Sequence, residues 1–415
     1  MKGRVKVHGA KNSILPILAA SLLNRSSEPI RLVKAPKLLD VQGMLQILKK
    51  LGATITLEGD DILLRTDQVD CYHVPDYLMQ EMRSSIFLIG PLLGRLSKAK
   101  MSYPGGCAIG NRPIDLHLHG LQALGAIIEE KGGYINARGI LKGAEVSLSY
   151  PSVGATENLM MAGVLARGKT VIRNAAREPE IVDLQNFLNM LGAQIRGAGS
   201  EVITVTGVPE VGGGRYRVFH DRIVAGTFMM AAAVTHGAVT VEDVLPGHQA
   251  ALIRLLEEAG VEVETGDNWI TVRGGPFTAV SLVEIEPFPG FPTDLQPQLV
   301  AMLALARGRS VVVENVFSKR FRHVTELNKM GARITLRDNR AEIQGVRHLR
   351  GAVVEATDLR AGAALVLAGL AARGNTVIYG RKFIERGYEN LHGILNSLGA
   401  QVEPINRSAL CGKEV

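Results

Sequence analysis

One pattern of apolar positions recurs six times along the chain. In each copy an amphipathic helix ends at a glycine, and an alternating apolar and polar segment typical of a strand follows at once. Glycine at this place adopts the left-handed conformation that ends a helix at low cost. The copies are spaced about 70 residues apart. The six glycines are Gly52, Gly125, Gly192, Gly260, Gly331 and Gly399.

A second pattern interleaves with the first. An alanine-rich helix runs through a turn into a β-branched strand at 163–172, 231–241, 303–313 and 367–378, and more weakly at 92–102. Solenoid repeats are usually shorter than this unit. We therefore predict an α/β (α+β) protein of two domains with three units each, in which the alanine-rich helices pack under sheets.

The predicted domains are 12–219 and 1–11 plus 220–415. The first strand, near 4–7, is expected to pair with the second half, so that the chain crosses between domains twice. We expect the active site in the cleft between the domains, because ligands favour such clefts.

Composition narrows the function only slightly. Of 415 residues, 46% are apolar and 21% charged, which is typical of a soluble globular protein. Only 5% are aromatic, which disfavours a stacking surface for nucleic acid. The net charge of +7 suits nucleic acid, anionic lipid or small anionic substrates, and charge alone does not choose among them.

The sequence predicts a cytoplasmic protein. The amino terminus lacks the pattern of a signal peptide, and apolar stretches such as 361–372 are too short to span a bilayer. Three cysteines without metal-ligand spacing fit a reducing compartment. His117 and His119 lack a partner cluster, and 212–214 lacks the context of a dinucleotide fingerprint. We expect no metal, no cofactor and no membrane contact.

Residues suited to anion binding recur at the starts of the alanine-rich helices. A helix amino terminus offers unpaired N–H groups and a positive dipole end, which bind phosphate. Ordinary capping is the alternative at each start. Lys11, Arg83, Arg222 and Arg360 oppose the dipole and favour an anion as partner. The six starts are 9–12, 82–85, 152–155, 221–222, 292–294 and 358–360.

Two kinds of loop add candidate chemistry. Cys107 lies in a glycine-rich loop at 103–113 with Arg112 nearby, and a thiol there can act as acid, base or nucleophile. A cysteine in an inert turn is the alternative. Arg320 and Arg386 lie in matching loops of the fifth and sixth units, where they would bind carboxylate or phosphate, or form surface ion pairs.

With these residues in place, the chain resembles the UDP-N-acetylglucosamine 1-carboxyvinyltransferases, which are enolpyruvyl transferases, over nearly its whole length. The segments that carry the resemblance are 9–13 (GAKNS), 104–110 (PGGCAIG), 112–117 (RPIDLH), 152–155 (SVGA), 174–180 (NAAREPE), 291–294 (FPTD), 357–360 (TDLR) and 386–388 (RGY). The resemblance implies the inside-out α/β barrel, two domains of three βαβαββ units.

The resemblance also implies a reaction, the transfer of the enolpyruvyl group of phosphoenolpyruvate to the sugar 3-hydroxyl in the first committed step of peptidoglycan synthesis. Asp294 would take the hydroxyl proton, and Cys107 would protonate the methylene carbon and be the target of fosfomycin. Domain closure over the nucleotide sugar would exclude water. No cofactor and no obligate protein partner are implied.

The implied substrate contacts divide into three groups. Lys11, Arg112 and Arg386 would bind the phosphate of phosphoenolpyruvate, Arg320 and Arg360 its carboxylate, and Arg83 would support both. Contacts to the sugar would come from Asn12, Asp294 and Val316. The uridine and diphosphate would contact Arg112, Pro113, Ile114, Asp115, Leu116, Ser152, Val153 and Gly154.

The chain departs from the family pattern at two places. About ten residues that usually precede the first strand are absent, so either the start is misassigned or the second domain lacks an edge strand. Tyr150 stands where a lysine is common, which puts one uridine contact in doubt.

Three alternatives remain. The shikimate-pathway enolpyruvyl transferase shares the fold and donor, but its acceptor needs no Cys107 loop. RNA 3′-terminal phosphate cyclases use related units, but the low aromatic content argues against them. A silent paralogue would have lost motif residues that are present here.

Overall fold

The computed structural model describes residues 1–105 and 114–405. The strands are β1 (Lys2–Lys6), β2 (Ile30–Leu32), β3 (Thr54–Glu58), β4 (Asp61–Arg65), β5 (Lys98–Ser102), β6 (Ile127–Lys131), β7 (Tyr134–Arg138), β8 (Glu145–Ser147), β9 (Lys169–Arg173), β10 (Gln194–Arg196), β11 (Val202–Thr206), β12 (Gly214–Tyr216), β13 (Ala238–Glu242), β14 (Glu262–Thr265), β15 (Trp269–Arg273), β16 (Leu282–Ile285), β17 (Arg309–Glu314), β18 (Arg333–Arg337), β19 (Arg340–Gln344), β20 (Val353–Glu355) and β21 (Val377–Tyr379).

The helices alternate with these strands. They are α1 (Lys11–Ala20), α2 (Leu39–Lys50), α3 (Asp76–Glu81), α4 (Ile89–Leu96), α5 (Asp115–Ala123), α6 (Val153–Val164), α7 (Pro179–Met190), α8 (Arg222–Val234), α9 (Ala250–Glu258), α10 (Gln296–Leu303), α11 (His323–Lys329), α12 (Leu359–Ala371), α13 (Arg381–Ile384) and α14 (Leu391–Ser397). Short 3₁₀ turns at Arg83–Leu88, Thr293–Leu295 and Arg320–Arg322 also carry site residues.

The repeat appears as six sheets. Their strand orders are β12-β2-β4-β3, β5-β7-β6, β10-β11-β9-β8, β1-β13-β15-β14, β16-β17-β19-β18 and β20-β21. Five of them contain antiparallel pairs such as β3 with β4 and β18 with β19. Among the described residues the last sheet has two strands, whereas the others have three or four.

The glycines that end the helices adopt the predicted conformation. Their φ angles are +109°, +92°, +104°, +83°, +89° and +90° at Gly52, Gly125, Gly192, Gly260, Gly331 and Gly399. This is the left-handed region, which favours glycine because a side chain there is strained. The sequence pattern therefore located six helix ends correctly.

The alanine-rich helices are buried as predicted. Every residue of α8 and α10 is buried, and the small alanine and glycine side chains of α8 let that helix pack closely against neighbouring helices and sheets. The buried apolar side chains form two clusters, one drawn from residues 14–218 and the other from residues 5–7 and 223–398. The domain boundaries proposed from the sequence stay a prediction.

Two chain segments lie side by side at the seam between these clusters. Strand β1 pairs in parallel with β13, as expected for a first strand that joins the second half. The amide of Ala10 donates to the carbonyl of Phe219 at 2.7 Å, and the amide of Asp221 donates to the carbonyl of His8 at 2.9 Å. The starts of α1 and α8 are therefore neighbours.

No helix in residues 1–105 and 114–405 is both long and apolar enough to cross a membrane.

Candidate functional site

Asp294 lies at the centre of a cluster of polar side chains from three units. One carboxylate oxygen accepts a hydrogen bond from Arg320 Nη2 at 2.8 Å. The other accepts from Arg360 Nη2 at 2.8 Å and from Asn12 Nδ2 at 3.2 Å. Both arginine side chains are 3% exposed, whereas that of Asp294 is 25% exposed. We call Asp294, Arg320 and Arg360 the arginine cluster.

The pKa of Asp294 follows from these neighbours. Desolvation alone would raise it, but the charges of Arg360 and Arg320 and the hydrogen bonds from Arg360 and Asn12 hold the pKa well below its usual range. The carboxylate is therefore ionised and a weak base as long as both arginines remain on it.

The arginines retain capacity for a further anion. Arg320 lies 5.8 Å from the ring centroid of Phe317, and Arg360 lies 6.0 Å from that of the buried Tyr388. These rings support the guanidinium planes. Neither Arg320 Nε nor Arg360 Nε has a hydrogen-bond partner in the described part of the chain. Buried donors without partners are costly, so they favour an added acceptor.

A second group of cations surrounds Asp40, which lies in the first turn of α2. Lys11 Nζ is 2.7 Å from one carboxylate oxygen, and Arg386 Nε donates to the other at 2.7 Å. Although desolvation alone would raise it, the charges of Lys11 and Arg386 hold the pKa of Asp40 below its usual range. Burial lowers the pKa of Lys11; Asp40 opposes this effect and the charge of Arg360 adds to it. We call Asp40, Lys11 and Arg386 the lysine cluster.

The two clusters are adjacent because Lys11 and Asn12 are consecutive residues at the start of α1. Lys11 belongs to the lysine cluster, whereas Asn12 donates to Asp294. The amide of Lys11 also donates to Asp221 at 3.0 Å, which fixes this start against α8. Two cation pairs, each bridged by a carboxylate, therefore lie side by side at the seam.

At three of the six predicted helix starts, a polar side chain caps the helix. Ser152 accepts from the amide of Ala155 at 3.3 Å. Asp221 caps α8, and Asp358 caps α12 by accepting from the amides of Arg360 and Ala361. The start at Arg83, a half-buried residue, has no side-chain cap.

The predicted nucleotide contacts on α5 and α6 lie close together. Ile114 is buried, Asp115 is exposed and Leu116 is half-buried, while Ser152, Val153 and Gly154 are partly exposed. A Cβ atom placed on Gly154 would lie 3.0 Å from Cε1 of His117, so the two helix starts touch. Cys107, Arg112 and Pro113 lie outside the described residues.

The loop that carries Val316 is held by Glu314. Oε1 of Glu314 accepts from the amides of Val316 at 2.8 Å and Phe317 at 3.1 Å. Its Oε2 accepts from the hydroxyl of Thr293 at 3.0 Å, next to Asp294. Burial raises the pKa of Glu314, which these hydrogen bonds oppose. Val316 is thereby positioned beside the arginine cluster.

Comparison with known proteins decides the family. The family model described as EPSP synthase (3-phosphoshikimate 1-carboxyvinyltransferase) matches residues 1–395. The chain belongs to the enolpyruvyl transferase family. This match confirms that the chain is an enolpyruvyl transferase, and the curated relatives confirm the narrower resemblance to the UDP-N-acetylglucosamine 1-carboxyvinyltransferases.

Curated relatives cover almost the whole chain. UDP-N-acetylglucosamine 1-carboxyvinyltransferase 1 of Carboxydothermus hydrogenoformans is 50% identical over 407 residues, which cover 98% of this chain and 96% of that protein. UDP-N-acetylglucosamine 1-carboxyvinyltransferase of Gloeobacter violaceus is 48% identical and covers 97% and 88% respectively. The chain is therefore a transferase of this family.

Solved structures confirm the α/β fold. The enolpyruvyl transferase NikO from Streptomyces tendae aligns with a TM-score of 0.85 at 25% identity, covering 96% of this chain and 95% of that one. EPSP synthase from Acinetobacter baumannii aligns with a TM-score of 0.72 at 19% identity over 97% of both chains, which supports the fold alone.

Sequence reasoning about this enolpyruvyl transferase missed Asp40 and Glu314. Asp40 looked like an ordinary acidic residue in the first turn of a helix, where it would favour the dipole. Glu314 ends a buried strand, and an acidic residue there was the only signal. Within the described residues, no three His, Cys, Asp or Glu side chains are grouped so that they could hold a metal ion.

Proposed function

We propose that this enolpyruvyl transferase moves the enolpyruvyl group of phosphoenolpyruvate to the 3-hydroxyl of UDP-N-acetylglucosamine and releases phosphate. The adjacent arginine and lysine clusters carry this proposal. Phosphoenolpyruvate has one carboxylate and one phosphate, and the seam offers two neighbouring cation pairs. Relatives named for this activity at 47–51% identity support the same acceptor. The reaction is the first committed step of peptidoglycan synthesis.

The donor is assigned by the shape of its charged groups. Arg320 and Arg360 are forks that fit a planar carboxylate. Lys11 and Arg386 fit the phosphate, together with Arg112 outside the described residues. Arg83 supports this anionic pocket.

The acceptor is assigned to the adjoining surfaces. Asn12, Asp294 and Val316 would contact the sugar. The remaining predicted contacts, which would hold uridine and diphosphate, are Arg112, Pro113, Ile114, Asp115, Leu116, Ser152, Val153 and Gly154.

The chemistry is an addition followed by an elimination. As the sugar oxygen bonds to C2 of phosphoenolpyruvate, Asp294 takes its proton and a proton donor, predicted to be Cys107, protonates the methylene carbon. The tetrahedral ketal then loses a proton from the new methyl group and expels phosphate, which leaves the enol ether. Cations fixed around the changing charge supply the main stabilisation.

The test is phosphate release from phosphoenolpyruvate with two acceptors in parallel, UDP-N-acetylglucosamine and shikimate 3-phosphate. We expect release with the nucleotide sugar alone. Release with shikimate 3-phosphate alone would assign the chain to the sister activity, and release with neither would refute the proposed transfer.

A further inference from the structure

Both cation pairs at the seam are bridged by a carboxylate of the chain itself. Asp294 joins Arg320 to Arg360, and Asp40 joins Lys11 to Arg386. Building on the proposed function, we propose that Asp294 and Asp40 are internal counter-ions that hold the two anion sites of the empty enzyme and are displaced by the substrate's carboxylate and phosphate.

At the arginine cluster, the geometry of the contacts supports an exchange. Asp294 uses both of its oxygens, one for each arginine, at 2.8 Å. A substrate carboxylate offers the same planar pair of oxygens and would compete for the same Nη2 donors. The unpartnered Nε groups of Arg320 and Arg360 provide donors for the incoming anion before Asp294 leaves.

At the lysine cluster, the backbone around Asp40 is held independently of its carboxylate. The amide of Leu39 donates to the carbonyl of Glu385 at 3.3 Å, and the amide of Lys37 donates to Glu389 at 2.9 Å. These two contacts keep the start of α2 against the segment that precedes and follows Arg386. The carboxylate of Asp40 can therefore be exchanged or neutralised while the two segments remain docked.

Buried charge gives the empty enzyme a reason for such counter-ions. Arg320, Arg360 and Lys11 are each less than one-tenth exposed. Buried cations without a partner destabilise a fold strongly. The two aspartates compensate these charges until an anion arrives.

The exchange would also determine when Asp294 can act as the base. With both arginines on it, Asp294 is a poor acceptor for the hydroxyl proton. When the substrate carboxylate replaces Asp294 on one or both arginines, their positive charges stabilise the Asp294 carboxylate less, and Asp294 becomes a stronger base. The base is then available only after the donor has bound, and Asp294 acts as a catalytic residue whereas Asp40 is a positioning residue.

The two sites can be tested separately with one probe whose only charged group is a carboxylate and another that is only a phosphate. We would titrate wild type, Asp294→Asn, Asp40→Asn and the surface control Asp60→Asn with pyruvate and with inorganic phosphate, and follow binding by ligand-detected NMR. Asparagine preserves the size of the side chain and removes the competing charge. Circular dichroism would confirm the fold of each variant.

We expect a crossed result. Asp294→Asn should strengthen pyruvate binding about tenfold, a typical size for coupling between two competing ligands, and change phosphate binding little. Asp40→Asn should do the reverse, and Asp60→Asn should change neither. Unchanged or weaker binding of the matching probe would overturn the proposal, as would an equal gain for both probes in both variants.

A second measurement needs only the wild-type protein, in case a variant does not fold. In a crystal structure with phosphoenolpyruvate, its carboxylate should lie on Arg320 and Arg360 with at least one of the 2.8 Å contacts of Asp294 broken. Retention of both contacts with phosphoenolpyruvate bound would refute the exchange. Failure of wild type to bind phosphoenolpyruvate at all would instead refute the proposed function.

Discussion

Two buried groups of charged residues at the seam differ in the sign of their excess charge. In the arginine and lysine clusters, four cations face Asp40 and Asp294. In the second group, which we call the glutamate cluster, Arg222 pairs with Glu180 at 2.9 Å while Glu178 and Glu157 lie nearby.

The excess negative charge and the excess positive charge are neutralised in different ways. Burial, reinforced by Glu180 and Glu178, raises the pKa of Glu157 well above its usual range, and neither of its oxygens has a hydrogen-bond partner among the described residues. Excess carboxylates can be neutralised in this way by binding a proton. An arginine cannot lose its proton at physiological pH, so excess arginine requires an anion. Burial of charge alone therefore does not identify a substrate site. The arginine and lysine clusters differ from the glutamate cluster because their excess positive charge is neutralised by binding an anion and not by a change of protonation.

The largest effect is expected at Asp294. We expect Asp294→Asn to lower turnover by about 10² to 10⁴, because the variant lacks the base that takes the hydroxyl proton. Steady-state phosphate release would measure it. The exposed Asp60→Asn, which breaks a surface pair with Lys37, is the matched control and should retain wild-type turnover. Turnover of Asp294→Asn within about threefold of wild type would exclude the base role.

The glutamate cluster should instead respond in stability. Glu180→Gln leaves Arg222 buried without its ion pair, and we expect the free energy of unfolding to fall by about 3–5 kcal/mol. Urea denaturation would measure this loss. Glu145→Gln breaks the exposed pair with Arg173 and should have little effect. An equal loss in the two variants would mean that burial does not set the strength of these pairs.

The sequence predicted the repeat and most of the convergence at the seam. Helix-ending glycines and alanine-rich helices are local signals, so they were found without knowledge of the fold. Lys11, Asn12, Asp294 and Arg360 were found because they recur at helix starts. That Asp40 bridges Lys11 to Arg386 could not be predicted, because these residues are brought together only by the packing of separate units.

The sequence alone did not distinguish residues that cap a helix from residues that bind a ligand. Ser152, Asp221 and Asp358 are cap residues, and the same residue types are suited to a ligand site. Only the observed hydrogen bonds distinguish Asp294 from these caps, because Asp294 accepts from Arg320 of its own unit and from Asn12 and Arg360 of two other units. The predicted roles of Cys107 and Arg112 stay predictions.

A smaller effect is expected from pH at His323, which is 1% exposed and lies beside Arg320 at the start of α11. Burial lowers the pKa of His323 to about 4. Between pH 6.5 and 4 the unfolded chain binds a proton at this histidine and the folded chain does not, so stability falls as pH falls. The loss approaches about 3 kcal/mol over this range.

His323→Phe should remove this dependence. The comparison is the difference between the unfolding free energies of wild type and variant, measured by urea denaturation at pH 7 and pH 4.5. The difference cancels contributions from other groups such as Asp183, whose pKa is raised to about 6 by burial. Parallel pH profiles of the two proteins would contradict the assignment.

The smallest effect is expected at Glu157. Burial raises the pKa of Glu157 and so favours the neutral form of its carboxyl, and Glu157→Gln replaces it with a neutral side chain of similar size. We expect the free energy of unfolding to change by less than about 1 kcal/mol and turnover to remain unchanged. A large loss of turnover, measured by phosphate release, would show that the glutamate cluster takes part in the reaction.

The contrast between the clusters is tested most directly by the affinity for phosphoenolpyruvate in two arginine variants, measured by isothermal titration calorimetry. Arg360 and Arg222 are both buried at the starts of seam helices, but only Arg360 lies in the arginine cluster. We expect Arg360→Gln to weaken binding about 30-fold or more and folded Arg222→Gln to leave it within about threefold. Equal weakening by the two substitutions would contradict the account.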